Sequence, residues 1–226
     1  MYRRNIRAAV ETALADTRVV LLNGARQVGK STLARELAQA RHGQYLSLDD
    51  PTTAATANAD PGGFVDAVGE FTVIDEAQLA PGLFPAIKRA VDRDPRPGRF
   101  LLTGSANVLL LPRIAESLAG RMQILTLHPL AQSEVVESGH NFVDAVFDTA
   151  AWTHRMVPTS RAELALRIAC GGFPEVQGRA DAARPGGRGG TDKCGNCRCS
   201  PAGSAQEQAL ARYHEMMHSM LSPERK

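Results

Sequence analysis

The stretch GARQVGKS (24–31) decides the fold of this 226-residue chain. It matches the pattern G-x-x-x-x-G-K-[ST], in which glycines let backbone N–H groups wrap around a phosphate without obstruction by side chains. An apolar run, VVLLN (19–23), leads into it, and a helix-forming run, STLARELAQA (31–40), follows. The pattern predicts a phosphate-binding loop in which Lys30 reaches the β- and γ-phosphates and the Ser31 hydroxyl ligates Mg²⁺. The alternative is a glycine turn that only caps a helix. The predicted nucleotide-binding residues are Gly24, Ala25, Arg26, Gln27, Val28, Gly29, Lys30, Ser31 and Thr32.

Short apolar runs alternate with helical patterns from residue 19 to residue 127. The predicted strands are VVLLN (19–23), YLSLD (45–49), FTVID (71–75), RFLLTG (99–104) and RMQILTL (121–127). The predicted helices between them lie near 30–41, 81–92 and 106–119. Strand and helix in alternation predict an α/β fold, a parallel sheet with helices on both sides. Five strands with short connections have the size of a minimal P-loop core.

A second polar signal is FTVIDE (71–76), an apolar strand that ends in two carboxylates. The carboxyl edge of such a sheet is where phosphates bind, so we expect Asp75 to hold the magnesium ion, directly or through water. Glu76 is then placed to act as the general base that polarises the attacking water. Taken alone, acids after a strand are more often a helix cap. The adjacent glutamate favours hydrolysis over simple switching or kinase chemistry.

Two further segments carry candidate catalytic residues. FLLTGSAN (100–107) ends in a polar cluster that places Thr103, Ser105 or Asn107 against the γ-phosphate or the attacking water, although Ser105 could equally be a helix N-cap. Arg121 follows a glycine in SLAGR (117–121). An arginine supplied across a subunit boundary could stabilise the charge of phosphoryl transfer, which would require a homo-oligomer. The alternative for Arg121 is a solvated surface group.

Composition sets broad limits. Apolar residues make up 43% of the chain and its net charge is +2, which predicts a real core and gives no general electrostatic case for nucleic acid or membrane binding. The sequence contains no run of 18 or more uninterrupted apolar residues, so it predicts no transmembrane helix. The N-terminus has apolar residues at four-residue spacing and reads as an amphipathic helix rather than a targeting segment. We therefore expect a soluble, cytoplasmic protein.

These segments resemble a prokaryotic AAA-superfamily family of P-loop ATPases whose full-length members add a C-terminal domain of unknown function. The resemblance extends over GARQVGKS (24–31), LDDP (48–51), VIDEAQLAPGLFPAIKRAVD (73–92), GRFLLTGSANVLLLPRIAESLAGR (98–121), LHPLAQSE (127–134) and GGFPE (171–175). It implies a three-layer P-loop fold with sheet order 5-1-4-3-2, and ATP and Mg²⁺ as ligands. It implies Lys30 and Ser31 as the phosphate and magnesium residues, Asp75 and Glu76 as the acidic pair, and Ser105 in the sensor strand. DNA contact is implied by analogy with the family only.

The predicted organisation has three parts: an ATPase domain (1–127), a helical extension (128–177) and a linker or disordered tail with a terminal helix (178–226). Helices are predicted near 131–138 and 160–170. The family pattern stops after about Val176, which suggests a truncated or frame-shifted gene product. The tail contains Cys194, Cys197, Cys199, His214 and His218, but their spacing is wider than that of a zinc finger, so a zinc site stays an open alternative.

The function predicted from the sequence is a Mg²⁺-dependent ATPase that couples hydrolysis to a conformational or assembly change. A small-molecule kinase would share the phosphate-binding loop, but it should also carry an arginine-rich lid and an acceptor pocket, which the sequence does not indicate. A truncated remnant that binds ATP without hydrolysing it is the third alternative.

Overall fold

The computed structural model describes residues 2–105, 118–137 and 160–182. All of them belong to the first of the two units into which the chain divides, Met1–Gly187. Their strands form one five-stranded sheet. The strands are β1 Val19–Gly24, β2 Gln44–Ser47, β3 Thr72–Asp75, β4 Phe100–Ser105 and β5 Met122–Leu127.

The sheet is parallel, with the order β2-β3-β4-β1-β5. Read from the other edge this is 5-1-4-3-2, so the predicted order is confirmed. Strand β1 lies between β4 and β5, and Val19 pairs with both Phe100 and Met122. The loop after β1 therefore leaves the carboxyl edge from inside the sheet, in the region where open α/β sheets bind ligands.

Helices surround this sheet. They are α1 Ile6–Asp16, α2 Lys30–Ala40, α3 Pro51–Ala59, α4 Pro61–Ala67, α5 Leu83–Arg93, α6 Gln132–Val135, α7 Arg161–Cys170 and α8 Pro174–Ala182, and a 3₁₀ helix covers Ala77–Leu79. The helices predicted near the N-terminus, 30–41, 81–92 and 160–170 are confirmed. No helix among the described residues is long and apolar enough to cross a membrane.

The two faces of β1 belong to different halves of the core. Val19 and Leu21 pack on the face covered by α5, where Phe84 is also buried. Val20 and Leu22 pack on the opposite face, together with residues of α1 and α2. A parallel strand covered on both faces reads as a continuous apolar run, which is why VVLLN shows no alternation.

Several boundaries differ from the predicted ones. β2 ends at Ser47 because Asp50 caps α3, accepting a hydrogen bond from the Thr53 N–H at 2.8 Å. The predicted helix near 131–138 is shorter, Gln132–Val135. Helix α8 continues to Ala182, so residues 178–182 are helical although the sequence predicts a linker there. Its residues after Pro174 are mostly good helix formers, which explains the continuation.

Some predictions lie outside the described residues. They are most of the helix near 106–119, the rest of the tail and the cysteine and histidine cluster. The three-part domain division stays a prediction.

Candidate nucleotide-binding site

The loop between β1 and α2 owes its shape to backbone conformations that favour glycine. Gly24 has φ +158°, and a Cβ built there would lie 2.4 Å from the Leu127 carbonyl oxygen of β5. Gly29 (φ +97°) is the left-handed N-cap of α2, and Gln27 also has positive φ (63°). The pattern therefore needs glycine at position 24 because the backbone of β5 lies so close, and at position 29 because the backbone conformation there would strain any other residue.

Lys30 lies at the start of α2 with only 5% of its surface exposed. Its ammonium donates hydrogen bonds to the carbonyl oxygens of Gly24, at 3.1 Å, and Ala25, at 2.9 Å. Burial lowers the pKa of Lys30, and the nearby carboxylates of Glu76 and Asp75 oppose that shift. A phosphate therefore competes with carbonyls of the loop for this ammonium.

Asp75, the last residue of β3, is held by two hydroxyl groups. The buried Thr103 hydroxyl donates to its Oδ1, and the Tyr45 hydroxyl donates to its Oδ2 at 2.6 Å. Burial and the hydrogen bond to Asp75 raise the pKa of Tyr45. Because Asp75 is 2% exposed, these two bonds fix the direction of its carboxylate. The local sequence around Tyr45 predicts no role for it, and Thr103 was only one of three candidates in FLLTGSAN.

Glu76 has a left-handed backbone, φ 56° and ψ 45°, which costs a non-glycine residue about 1–3 kcal/mol. Its N–H donates to Thr103 Oγ1 at 3.0 Å, so Thr103 stabilises the turn that aims Glu76. The Glu76 carboxylate accepts a hydrogen bond from the Gln78 amide. The other atom of that amide, Gln78 Oε1, is buried and accepts no hydrogen bond from the described residues.

The loop and Glu76 line one cleft of about 450 Å³. Its lining residues are Arg26, Gln27, Gly29, Lys30, Ser31, Thr32, Asp49, Glu76, Pro174 and Glu175. The side chain of Val28, by contrast, is fully buried in the core. Asp49, Pro174 and Glu175 were not predicted as site residues, although they belong to LDDP and GGFPE, two segments of the family resemblance. GGFPE reaches the cleft because the Leu130 N–H donates to the Gly172 carbonyl at 2.6 Å.

The oxygen ligands at the cleft suit Mg²⁺. Ser31 lines the cleft and offers a hydroxyl. Asp75 is buried directly before Glu76 and is not among the residues that line the cleft, so its carboxylate would reach the metal from beneath the cleft wall. Among the described residues, no three or more His, Cys, Asp or Glu side chains form a metal-binding group. Mg²⁺ is commonly bound by one or two protein oxygens together with water and substrate phosphates, so this sparse set fits it.

Ser105 is the last residue of β4 and pairs with Gly24 across the sheet. It lies at the same edge as the loop but is absent from the residues that line the cleft. Thr103, two residues earlier, makes the contacts to the acidic pair. Asn107, the third candidate, lies outside the described residues.

Arg121 precedes β5, at the edge of the sheet opposite the loop. Its carbonyl accepts a hydrogen bond from the Val19 N–H at 3.3 Å, and β1 runs from there to Gly24, a distance of about 16 Å at 3.3 Å per residue. Its guanidinium is paired with Asp92, with Nη2 3.1 Å from Oδ2. This hydrogen bond raises the pKa of Arg121 and lowers that of Asp92. The structure does not bring Arg121 to the cleft of its own chain.

Comparison with known proteins agrees with this geometry. Residues 16–136, more than half of the chain, match a family described as an AAA domain. The chain belongs to this AAA-domain family. The matched region includes the loop, the acidic pair and all five strands. It leaves out all but the last residue of α1, the helix that precedes the sheet. It identifies the chain as an AAA-type P-loop protein of the ATP-binding class.

An uncharacterized protein of Mycobacterium tuberculosis and one of Mycobacterium bovis are each 34% identical to the chain over 185 residues. Each match covers 74% of this chain and 41% of the relative, so the AAA-domain chain spans less than half of these relatives' length.

One solved structure shares the fold at a TM-score above 0.5. AMPPCP-bound DnaA from Aquifex aeolicus aligns with a TM-score of 0.54 at 11% identity, covering 96% of this chain and 66% of DnaA. The RuvB branch migration motor of Thermotoga maritima gives 0.40 at 20% identity, covering 59% and 47%. At 11% identity the likeness to DnaA concerns the fold alone.

Proposed function

We propose that this AAA-domain chain binds MgATP in the cleft and hydrolyses it, and that hydrolysis drives a conformational or assembly change. The observation that carries the proposal is the convergence of Lys30 and Glu76 on one cleft beside the glycine loop. A cation for the phosphates and a carboxylate for the attacking water are the two groups that ATP hydrolysis needs most.

Binding is assigned to the loop and to the start of α2. Lys30 exchanges its two carbonyl partners for phosphate oxygens, which carry full negative charge and are stronger acceptors. The backbone N–H groups at the start of α2 face the same anion, where the helix dipole also favours negative charge. Ser31 and Asp75 would hold Mg²⁺.

Hydrolysis is assigned to Glu76. Its carboxylate accepts a proton from water while the water oxygen attacks the γ-phosphorus and the bond to the β-phosphate oxygen breaks. Thr103 fixes the backbone of Glu76, and Gln78 donates to its carboxylate, so the base is oriented before the substrate arrives. Bound Mg²⁺ would neutralise charge that develops on the phosphates.

The binding part is tested by calorimetry with ATP at fixed free Mg²⁺. Lys30→Ala should weaken binding at least tenfold, about 1.4 kcal/mol, because it removes the charge that faces the phosphates. Lys88→Ala is the matched control, since it removes a lysine of α5 that does not line the cleft. Equal affinity of the Lys30→Ala variant and the wild type would refute the assignment of the loop.

The catalytic part is tested by single-turnover hydrolysis. Glu76→Gln keeps the shape and removes the base, so ATP should still bind while turnover falls by roughly 10² or more. The wild type is assayed with and without phosphate acceptors. Phosphate release without an acceptor supports the ATPase, transfer only with an acceptor would indicate a kinase, and binding without either reaction would indicate a non-catalytic module.

Two expectations about partners are part of the proposal. A homo-oligomer would bring Arg121 to a neighbouring subunit's cleft, for which Arg121 must leave Asp92. DNA contact rests on analogy with the family and stays a prediction.

A further inference from the structure

The Arg4 guanidinium, at the N-terminus, bonds to the phosphate-binding loop and to the segment after β5. Three parts of the chain that are distant in sequence therefore meet at one side chain. Its Nη1 donates to the Val28 carbonyl at 2.6 Å, and its Nη2 donates to the His128 carbonyl at 2.6 Å. Its Nε lies 3.3 Å from Glu134 Oε1. Arg4 precedes α1, Val28 is in the phosphate-binding loop, and the other two partners follow β5. A single side chain thus fixes the loop relative to the segment after the sheet.

The partner carboxylate is itself held firmly. Glu134 Oε1 also accepts from the Asn5 N–H at 2.6 Å, and Oε2 accepts from the Ala131 N–H at 2.9 Å. The Arg4 and Glu134 side chains are 8% and 6% exposed. An ion pair this well shielded, with its other hydrogen-bonding atoms engaged, holds its geometry far better than an exposed pair.

The contact with Val28 determines the orientation of the next peptide group. The described residues contain no cis peptide bond, and in a trans peptide the C=O and the following N–H point in opposite directions. With its carbonyl turned to Arg4, the Val28–Gly29 peptide turns the Gly29 N–H away from Arg4. Gly29 lines the cleft and Arg4 does not.

Gly29 is required here by its backbone conformation rather than by space for the arginine. A Cβ at Gly29 would lie 3.4 Å from Arg4 Nη1, and the residue has φ +97°. The glycine therefore permits the backbone conformation of the loop, whereas a Cβ would make only ordinary van der Waals contact with the guanidinium.

We propose that Arg4 is a positioning residue of the phosphate site: it holds the Val28–Gly29 peptide so that the Gly29 N–H faces the bound phosphates. The inference rests on the proposed nucleotide binding. Arg4 acts through the loop and does not touch the nucleotide. If Arg4 only anchored the N-terminal segment, its loss would lower stability and leave phosphate affinity unchanged.

The test compares two variants of the full chain that break the same ion pair. Arg4→Met removes the donor to Val28, whereas Glu134→Gln removes the ionic partner and leaves that donor in place. Binding of ATP and ADP is measured by calorimetry at a temperature at which thermal denaturation shows every variant folded. Arg4→Met should lower the affinity for both ATP and ADP about tenfold. Glu134→Gln should lower these affinities less than about twofold while still lowering the melting temperature.

A second readout follows the peptide directly. In ¹⁵N-labelled protein, the Gly29 amide signal should shift on addition of ADP in the wild type and in Glu134→Gln, and much less in Arg4→Met. Arg4→Lys, which keeps the charge beside Glu134 but not the fork, serves if Arg4→Met does not fold, and it should also lose affinity. Nucleotide affinity that is equal in wild type and Arg4 variants, or that falls equally in Glu134→Gln, would overturn this inference alone. A wild type that binds no nucleotide would overturn the proposed function and this inference with it.

Discussion

Thr103→Val tests whether one buried hydroxyl holds the acidic pair together. The Thr103 side chain is fully buried, donates to Asp75 Oδ1 and accepts the Glu76 N–H at 3.0 Å. Valine has nearly the same shape, so packing is preserved while both hydrogen bonds are lost. A hydrogen bond to a charged acceptor contributes about 1.5–3 kcal/mol, and one from a backbone N–H contributes about 0.5–1.5 kcal/mol. We expect the free energy of unfolding to fall by about 2–4.5 kcal/mol.

Urea denaturation measures this change, and Thr103→Ser is its matched control. Serine keeps the hydroxyl and removes one methyl group, so the free energy of unfolding should fall by only about 1 kcal/mol. Turnover should fall in Thr103→Val as well, because the left-handed backbone of Glu76 loses its partner. The hydroxyl would not hold the site as described if the free energy of unfolding fell by less than about 1 kcal/mol in Thr103→Val, or by the same amount in Thr103→Ser as in Thr103→Val.

Three further changes test other contacts. Gly24→Ala should lower the melting temperature and abolish ATP binding, because its Cβ would lie 2.4 Å from the Leu127 carbonyl; an unchanged melting curve would show that the loop can shift. Tyr45→Phe should raise the Mg²⁺ concentration needed for half-maximal ATP binding, since Asp75 loses one of the two hydrogen bonds that orient its carboxylate. An unchanged Mg²⁺ titration would show that Tyr45 has only a structural role. Arg121→Ala should bind ATP normally and lose activity, and mixing with Lys30→Ala should restore part of it; activity independent of protein concentration would remove the trans role.

Much of the fold was predictable because its three central strands, β3, β4 and β1, are buried on both faces. VVLLN and FTVID read as continuous apolar runs for this reason, and the glycine pattern indicates which strand precedes the loop. Helices α3 and α4 were missed for the converse reason. Helix α3 buries only Ala57 and α4 only Val65, so neither leaves a recognisable apolar stripe in the sequence. The sheet order came from the resemblance, since local patterns carry no information on which strands pair.

The candidate site was predictable where a motif places chemistry next to a strand end. Lys30 and Glu76 both line the cleft. Contacts between distant segments were not predictable: nothing local indicates that the Tyr45 hydroxyl meets Asp75, or that Glu175 reaches the loop. The proline and the glycines of GGFPE were the signal available, but a turn-forming segment does not reveal which part of the sheet it approaches.

The position of β1 has a consequence for how the protein is made. Val19–Gly24 is the first strand to leave the ribosome, yet its two neighbours are Phe100–Ser105 and Met122–Leu127. At about 5–20 residues per second, roughly 5–20 seconds of synthesis separate the loop from its last flanking strand. The apolar run before the loop lacks at least one of its two strand partners for that time, which makes it a natural target for chaperones. Because β5 supplies one of the two neighbours of β1, we expect mutations in Met122–Leu127 to impair folding before they impair ATP binding.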